Sequence, residues 1–311
     1  MMASEEKTGV YPRVPIGDYV RDCFHGGPPS LSASIANVLL TTSPSHAWHA
    51  HPRLNPEWAP KSTEATDLGS IAHALLLEGD RSKVVVVNAD DWRTKSAKEA
   101  REAARYDGKL PVLANKMATV EEMVAVAMGA LGRSELGTTA FLREDVEQTL
   151  LWEEDGVLLR TRPDWLSPTR KIILDYKSVK RTAEPNVWAR GSMLALGHYL
   201  QTVLGLHAMA AIGITRCAFV FMVQEITAPY AVSFVGLAPA FLDFAEHRLI
   251  DAKNQWKHCL DTDTWPSYPP RICWAEPPAW VVNQAEEKQA LAANLAWLEA
   301  KEHADDGVDA L

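Results

Sequence analysis

An aspartate and a lysine two residues apart, Asp175 and Lys177, close a strongly apolar run. Alternation along a β-strand would place both side chains on one face, together with Ile173. The run Ile172–Leu174 predicts a buried central strand, and charge at the end of such a strand is costly unless it is paired or bound to a metal. The pattern fits an exposed ion pair as well as a reactive site, and the neighbouring residues bear on that choice.

A second aspartate, Asp164, precedes a predicted turn at Pro168–Arg170. Antiparallel pairing across this turn would bring Asp164 close to Asp175, because the midpoint between them falls in the turn. Two converging carboxylates repel each other, and a divalent cation offsets that repulsion. Hard oxygen ligands favour Mg²⁺, which keeps several waters and often meets substrate phosphates. Lys177 could then orient or deprotonate a water and offset charge in the transition state of phosphodiester hydrolysis.

Two further residues are candidates for the same ion. Glu147 lies on the first of three predicted strands, where it is either a surface residue or a third acidic ligand. His73 lies in the predicted helix Asp67–Leu77, and Gly69 one turn earlier leaves room for a close approach by another segment. Taken alone, a single histidine in an apolar helix is more often a core residue than a ligand.

Basic residues are concentrated in one stretch of the chain, although the net charge is negative. A net charge of −9 argues against a nucleic-acid partner, because phosphate binding depends on Lys and Arg. The stretch 160–181, however, holds seven basic residues and only two acids. It is either a solvated hairpin face or a phosphate-binding surface. Its basic residues are Arg160, Arg162, Arg170, Lys171, Lys177, Lys180 and Arg181.

The composition predicts a globular intracellular protein. Hydrophobic residues make up 47% and charged residues 23% of the chain. No apolar run approaches the roughly 20 residues of a membrane-spanning helix, and the N-terminal sequence lacks the features of a secretion signal. The four cysteines form no C-x-x-C pair, which disfavours a zinc or iron–sulfur site. We expect a cytoplasmic protein without membrane association.

The elements that would position these residues predict one α/β domain. The strongest β signal is a three-strand meander whose first turn is Asp155-Gly156, a dipeptide suited to a two-residue hairpin. The predicted strands are Val84–Val87, Val146–Glu153, Val157–Trp165, Lys171–Val179, Arg216–Val223 and Tyr230–Val235. The predicted helices are Leu31–Leu40, Asp67–Leu77, Ala97–Leu142 with breaks at Gly108–Pro111 and Gly132, Glu184–Ile212, Pro239–Cys259 and a polar helix near the C-terminus. This order predicts a central mixed β-sheet flanked by helices.

A family resemblance covers roughly residues 30–282. Pro163-Asp164, then Asp175-Tyr176-Lys177, is the literal PD-(D/E)XK pattern of a large nuclease superfamily. The surrounding segments Gly69-x-x-x-His73, Glu147–Trp152, Arg160–Leu166 and Leu174–Ser178, in that order, resemble the RecE-type exonucleases (exonuclease VIII). So do Leu31–Ser34 with Ser43-Pro44, and the ending Cys259–Pro266. The resemblance implies the PD-(D/E)XK nuclease fold.

The resemblance also implies roles for individual residues. It makes His73, Asp164, Asp175 and the backbone carbonyl of Tyr176 the metal ligands, and Lys177 the catalytic lysine. The remaining residues that it implies are Glu147 as a supporting acid, Gln201 as a glutamine beside the site, and Arg160, Arg162, Lys180 and Arg181 as DNA-binding residues.

The helix that carries Gln201 departs from the family pattern. The family usually has an aromatic residue four positions after this glutamine, and this chain has Gly205. The Tyr-His order before the glutamine is also reversed, as His198-Tyr199. The resemblance therefore says less about DNA positioning by this helix than about the metal site.

The resemblance implies a Mg²⁺-dependent 5′–3′ exonuclease, with Mn²⁺ as a substitute, that acts on the ends of linear double-stranded DNA. It would leave 3′ single strands for recombination by annealing. A homo-oligomeric ring, a RecT-like annealing partner and a phage or prophage origin in a bacterial host follow from the same resemblance. The expected organisation is an N-terminal extension (1–30), an exonuclease domain (31–282) and a polar helical tail (283–311).

Two other functions compete with this interpretation. A non-catalytic DNA-binding or assembly protein could keep the fold, although a decayed site would usually lose Lys177 or an aspartate first. An endonuclease would use the same site on internal phosphodiesters. A Cas4-like nuclease is disfavoured because the clustered cysteines of that group are absent.

Overall fold

The computed structural model describes residues 8–59, 67–79, 81–136 and 146–305. The chain divides into two compact units, Met1–Ser267 and Tyr268–Leu311. The strands of the first unit are β1 (Gly9–Tyr11), β2 (Val84–Val87), β3 (Leu110–Leu113), β4 (Thr149–Glu154), β5 (Val157–Thr161), β6 (Trp165–Leu166), β7 (Ile172–Val179), β8 (Ala218–Glu225) and β9 (Val232–Val235). Its helices are α1 (Ile16–Arg21), α2 (Ala33–Thr41), α3 (Pro44–Ala50), α4 (Asp67–Glu78), α5 (Lys95–Tyr106), α6 (Ala114–Arg133), α7 (Pro185–Trp188), α8 (His198–Ala211) and α9 (Pro239–Thr262).

A four-stranded sheet in the order β6-β7-β8-β9 forms the centre of this unit. β7 and β8 are parallel, whereas β6 and β9 pair antiparallel with their neighbours. Ile173 packs in the core cluster that includes the apolar side of α8, whereas Leu174 and Tyr176 pack with residues of α4 and α6. Because helices cover both faces of the sheet at β7, this strand is buried on both sides, which explains its continuous apolar run. The predicted α/β class, a central mixed sheet flanked by helices, is confirmed.

A second antiparallel sheet has the order β1-β4-β5. Asp155 and Gly156 form the tight turn between β4 and β5, with φ values of 52° and 76°. A left-handed conformation at both central residues is what a two-residue hairpin turn with right-handed twist requires. The hairpin predicted at this dipeptide is therefore confirmed.

The second strand of the predicted meander is interrupted in the structure. The segment predicted as Val157–Trp165 ends at Thr161, and β6 starts at Trp165 in the central sheet. Pro163 lies in the gap and has no N–H to donate to a ladder, so regular pairing stops there. The prediction of one uninterrupted strand was wrong, and the interruption is where Asp164 lies.

Two helix predictions were also wrong. The segment Glu184–Ile212 is not one helix: α7 is followed by a π-helical turn, Ala189–Met193, and Gly197 with φ 69° precedes α8. Leu110–Leu113 is strand β3 rather than a break within a helix, and it pairs parallel with β2. A short apolar run after a glycine does not by itself distinguish a strand from a helix break.

The two ends of the chain differ in how far their side chains are buried. The described part of the N-terminal segment belongs to the first unit, because β1 pairs with β4 and the side chain of Asp22 is fully buried. The second unit contains α10 (Ala279–Asp305), and its described side chains, up to Trp297, are exposed. In the part of the chain that the structure describes, no helix has the length and apolar character needed to cross a membrane.

Candidate metal centre

Asp164 is held by two hydrogen bonds in the gap between β5 and β6. Its Oδ2 accepts from the backbone N–H of Tyr176 at 2.6 Å, which anchors it to β7. Its Oδ1 lies 3.1 Å from Nε2 of His73 on α4. The carboxylate is therefore oriented from two sides before any ion binds.

Glu147 completes a three-residue group. One potential ligand atom from each of His73, Glu147 and Asp164 lies within 4.8 Å of the others. Glu147 precedes β4 instead of lying on it, with φ 54°, so the prediction that placed it on a strand was wrong. Its backbone N–H donates to the carbonyl of Asp164 at 3.0 Å, and its carboxylate accepts a hydrogen bond from Arg162. The two acids thus lie on two irregular segments that this backbone hydrogen bond joins.

The close packing of α4 on β7 positions His73. A Cβ built on Gly69 would lie 2.8 Å from Cβ of Ser178 and still closer to its hydroxyl, which no side chain could tolerate without movement. Gly69 is therefore required for the close approach, as the sequence indicated. One turn later on the same helix face, His73 reaches Asp164.

Asp175 and Lys177 lie beside this group. Asp175 is buried, with 3% of its surface exposed, and its carboxylate pairs with the Lys177 ammonium. Burial raises the pKa of Asp175 to about 6, against the opposing effect of Lys177. Burial lowers the pKa of Lys177, but the charges of Asp175 and Asp164 outweigh it and leave this pKa raised. The ammonium also lies 5.9 Å from the ring centroid of Phe221.

His73 and Asp164 shift each other's pKa values. Burial raises the pKa of Asp164, but the adjacent His73 outweighs burial and leaves it lowered. Burial also lowers the pKa of His73, and the charge of Asp164 more than compensates. The contact between the two side chains contributes to both shifts. A divalent cation bound there would require the neutral form of the imidazole as a ligand.

The donor set fits a divalent cation. One imidazole nitrogen and two carboxylates suit Mg²⁺ or Mn²⁺ with water at the remaining positions. Asp175, predicted as a ligand, lies outside the three-residue group and contacts Lys177. Tyr176, predicted to offer its carbonyl, contributes its N–H to Asp164 and its phenol to Gln224 at 2.6 Å.

The group opens onto a cavity of about 910 Å³. Its walls include the N-terminal segment 13–16, α4 and the residues around Lys177. Its cationic side chains are Arg13, Lys83, Arg162 and Lys177. Arg13 and Lys83 were missed from the sequence because they lie far along the chain from the motif and in no local pattern.

His198 is a further cavity residue that the sequence did not assign. Burial and the charge of Lys177 lower its pKa to about 3, so the imidazole is neutral. Its Nδ1 lies 3.1 Å from Oε1 of Gln201. The predicted glutamine therefore contacts His198, which lines the cavity, and is not itself a lining residue. The reversed His198-Tyr199 order, a departure from the family pattern, was the sequence feature that could have indicated His198 as a site residue.

Gly205, the second departure from the family pattern, allows close packing between α8 and the central sheet. A Cβ at this position would lie 2.9 Å from the ring of Phe219 and 3.1 Å from Ile173. The volume that an aromatic side chain would need at this point of α8 is thus already filled by β7 and β8. The glycine allows α8 to lie directly on the central sheet.

The four predicted DNA-binding residues have different environments. Arg160 is 3% exposed and donates to the carbonyl of Ser30 at 2.6 Å, with Asp22 at 3.0 Å. We therefore assign Arg160 a structural role instead of a surface one, because its guanidinium is occupied in the interior. Arg162 binds Glu147 at the cavity wall, and Lys180 and Arg181 are exposed.

Comparisons with known proteins identify the family and a similar fold. Residues 39–273 match the family described as PDDEXK-like domain of unknown function (DUF3799). The structure is similar to that of a "Putative exonuclease" from Eubacterium rectale, with a TM-score of 0.55, 12% identity, and coverage of 91% of this chain and 98% of that one.

A phage related exonuclease from Haemophilus somnus 129PT matches with a TM-score of 0.27 and 12% identity, over 62% of this chain and 95% of that one. No curated protein matches the chain. At 12% identity the similarity to the Eubacterium rectale protein concerns the fold alone. The family match spans the central sheet and the residues of the candidate metal centre, and the chain therefore belongs to the PDDEXK-like DUF3799 family.

Proposed function

We propose that this protein is a metal-dependent nuclease. The observation that carries the proposal is the convergence of His73, Glu147 and Asp164 beside the buried Asp175–Lys177 pair, at a cavity with further cationic side chains. A purely structural ion-pair network would not need a nitrogen and two carboxylates close together beside a large cavity that His73 and Glu147 line. Buried charge of this kind is retained where it binds a metal or a substrate.

His73, Glu147 and Asp164 would hold the cation, with Asp175 as the neighbouring acid. Bound there, a Mg²⁺ ion would polarise the phosphodiester and acidify a coordinated water. Lys177 would stabilise the negative charge that develops on the phosphoryl oxygens, because its ammonium is already fixed by Asp175 and Phe221. Arg162 orients the Glu147 carboxylate through their ion pair.

The finer proposal is an exonuclease that degrades one strand of linear duplex DNA from the 5′ end. It is supported by the RecE-type motif series, whereas the family membership supports only the coarser nuclease proposal. We also propose that the 3′ strand passes to a RecT-like annealing protein and that the enzyme works as a homo-oligomeric ring. These last two proposals depend on the resemblance alone.

The test is digestion of linear and covalently closed duplex DNA with Mg²⁺, Mn²⁺ or EDTA. Substrates labelled at the 5′ or the 3′ end give the polarity. We expect loss of 5′ label as mononucleotides from linear DNA, no cutting of closed circles and no activity in EDTA. Cutting of closed circles would support the endonuclease alternative, and binding without hydrolysis would support the non-catalytic one.

A further inference from the structure

A second cavity, of about 740 Å³, adjoins the metal cavity. Its walls come from the end of β7, from α7 and from the π-helical turn that follows it. The residues important here are Arg181, Val187, Trp188, Arg190, Leu194 and Leu196. Leu196 lines both cavities, so they are neighbours on one surface.

The wall between the two cavities is aromatic. Trp188 lines the second cavity and His198 lines the first, and their rings stack with centroids 5.9 Å apart and an interplanar angle of 15°. Above this wall the side chain of Leu196 is 61% exposed. A flexible chain could therefore pass from one cavity to the other over Leu196 without crossing the protein interior.

The second cavity carries two available positive charges. Arg181 and Arg190 are exposed, and within the described part of the chain neither is within 4 Å of an acidic oxygen. Glu184 is near Arg190, but it caps α7 by accepting a hydrogen bond from the N–H of Val187 at 2.6 Å. In a protein of net charge −9, two adjacent unpaired guanidinium groups favour an anionic ligand.

Apolar surface accompanies these charges. Val187 is 53% exposed, Leu194 38% and Leu196 61%. Guanidinium groups beside exposed apolar side chains suit a ligand with alternating phosphates and bases, which is the usual composition of single-strand binding grooves. A volume of 740 Å³ corresponds to an edge of about 9 Å, whereas a B-DNA duplex is wider than its major groove, which alone measures roughly 12 Å, so a duplex does not fit.

We propose that this second cavity binds a single nucleic-acid strand that continues from the metal cavity across Leu196, with Arg181 and Arg190 on its phosphates. The proposal rests on the proposed nuclease function for the identity of the chain in the first cavity. It adds a strand-binding site, and it makes Arg190 a substrate-binding residue outside the PD-(D/E)XK motif. Arg190 belongs to no sequence motif described above, and the π-helical turn determines its position.

The experiment measures binding of fluorescein-labelled oligodeoxythymidylates to the full chain in EDTA, by fluorescence anisotropy. For the wild type, affinity should rise as the oligonucleotide is lengthened to about twelve nucleotides. The double variant Arg181→Ala/Arg190→Ala should bind the long oligonucleotide about 100-fold more weakly, since each of the two lost charged contacts is worth about a factor of ten in affinity. Its salt slope should be shallower by about 1.4, which is two phosphate contacts on a single strand.

Three further variants make the result specific. Arg216→Ala removes an exposed arginine outside both cavities and should keep the wild-type affinity and slope. Arg190→Lys should keep the salt slope but weaken binding, because lysine keeps the charge and loses the planar fork. Leu196→Glu should reduce the gain from lengthening, because it places a negative charge on the path between the cavities.

Each remaining outcome has a defined meaning. Unchanged affinity in the double variant, with native unfolding curves, overturns the proposal. Displacement of the oligonucleotide by poly-glutamate as readily as by DNA assigns the cavity to an acidic protein segment instead. Because binding is measured without a metal, a chain that binds in this way but never cleaves DNA contradicts the proposed nuclease function and leaves the strand site intact.

Discussion

At the scale of single residues, the two aspartates of the motif differ in environment and therefore in role. Asp164 is paired with His73 and accepts a backbone hydrogen bond, so its pKa is lowered despite burial. Asp175 is dominated by burial, which raises its pKa to about 6. The contacts of the first aspartate therefore favour its ionised form. The second depends on Lys177 for its charge.

Lys177→Ala should lower the single-turnover cleavage rate by about 10²–10³-fold, the usual cost of losing one group that stabilises transition-state charge. Mn²⁺ affinity should change little, because the lysine is not a ligand. Rapid-quench assays and calorimetric Mn²⁺ titration measure the two quantities. Lys171→Ala, an exposed lysine next to the start of the same strand, is the matched control. A wild-type cleavage rate in Lys177→Ala would contradict the assignment.

Arg160→Ala should destabilise the protein instead of weakening DNA binding. Removing the guanidinium leaves the buried Asp22 carboxylate without its nearest arginine, and breaking a buried pair costs about 3–5 kcal/mol. Urea unfolding measures the loss. Arg216→Ala should unfold like the wild type. If Arg160→Ala has normal stability but weakened DNA binding, the structural role is wrong and Arg160 binds DNA.

At the scale of elements, the contact of α4 with β7 connects stability to the metal centre. Gly69→Ala should cost about 1–3 kcal/mol in unfolding free energy, as overpacking does, because the new methyl group meets Ser178. It should also weaken Mn²⁺ binding, since displacement of α4 moves His73 away from Asp164. Calorimetry and urea unfolding test both effects.

Adding Ser178→Gly to that variant should restore both quantities, because it removes the side chain that the new methyl group meets. The double-mutant cycle then gives a coupling energy between the two positions. If the effects of the two substitutions are additive, the position of α4 does not depend on the contact between Gly69 and Ser178.

A separate polar cluster joins the β4–β5 turn to α8 and α9. His207 lies 2.8 Å from Glu154 on one side and 2.8 Å from Glu246 on the other, and Lys253 also pairs with Glu154. The hydrogen bond to Glu154 is the main reason that the pKa of His207 is raised. The hydrogen bond from His207 is also the main reason that the pKa of Glu154 is lowered to about 2.

The stabilising effect of His207 should therefore depend on pH. Its pKa in the folded state lies above the ordinary 6.5, so its contribution is complete below 6.5 and is lost as pH rises through the folded value. The Glu154 contribution is complete above 4.5 and is lost as pH falls through about 2. The difference in urea midpoint between wild type and His207→Gln should be larger near pH 5.5 than near pH 8.5. His247→Gln, an exposed histidine on α9, should show no such change, and an equal difference at both pH values would contradict the cluster's role.

At the scale of the whole molecule, the two units are built differently. The first contains the apolar core and the metal centre, whereas the described side chains of the second, up to Trp297, are exposed. Burial supplies most folding free energy, so the second unit should contribute little to stability.

A chain ending at Ser267 should unfold cooperatively with a urea midpoint close to that of the full chain. Its Mn²⁺ affinity should also be unchanged, because His73, Glu147 and Asp164 all lie in the first unit. Equilibrium unfolding and calorimetry provide the comparison. A large loss of stability would show that the second unit carries part of the folding free energy.

Local sequence determined the parts of this protein that depend on short-range chemistry. The Asp155-Gly156 turn, the two faces of β7 and the placement of Asp175 beside Lys177 follow from backbone preferences and strand alternation. The two aspartates of the motif could be named because carboxylates near a buried strand end are costly without a cation. His73 was named only through the family resemblance, and the close approach at Gly69 followed from the missing side chain.

Tertiary structure decided everything that joins distant segments. It set Glu147 in a left-handed conformation outside β4, buried Arg160 against Asp22, and brought Arg13 and Lys83 to the cavity. None of these follows from periodicity, because each depends on which element packs against which. Cooperative packing selects one arrangement among many that local preferences allow, and the convergence of His73 with Asp164 is a product of that selection.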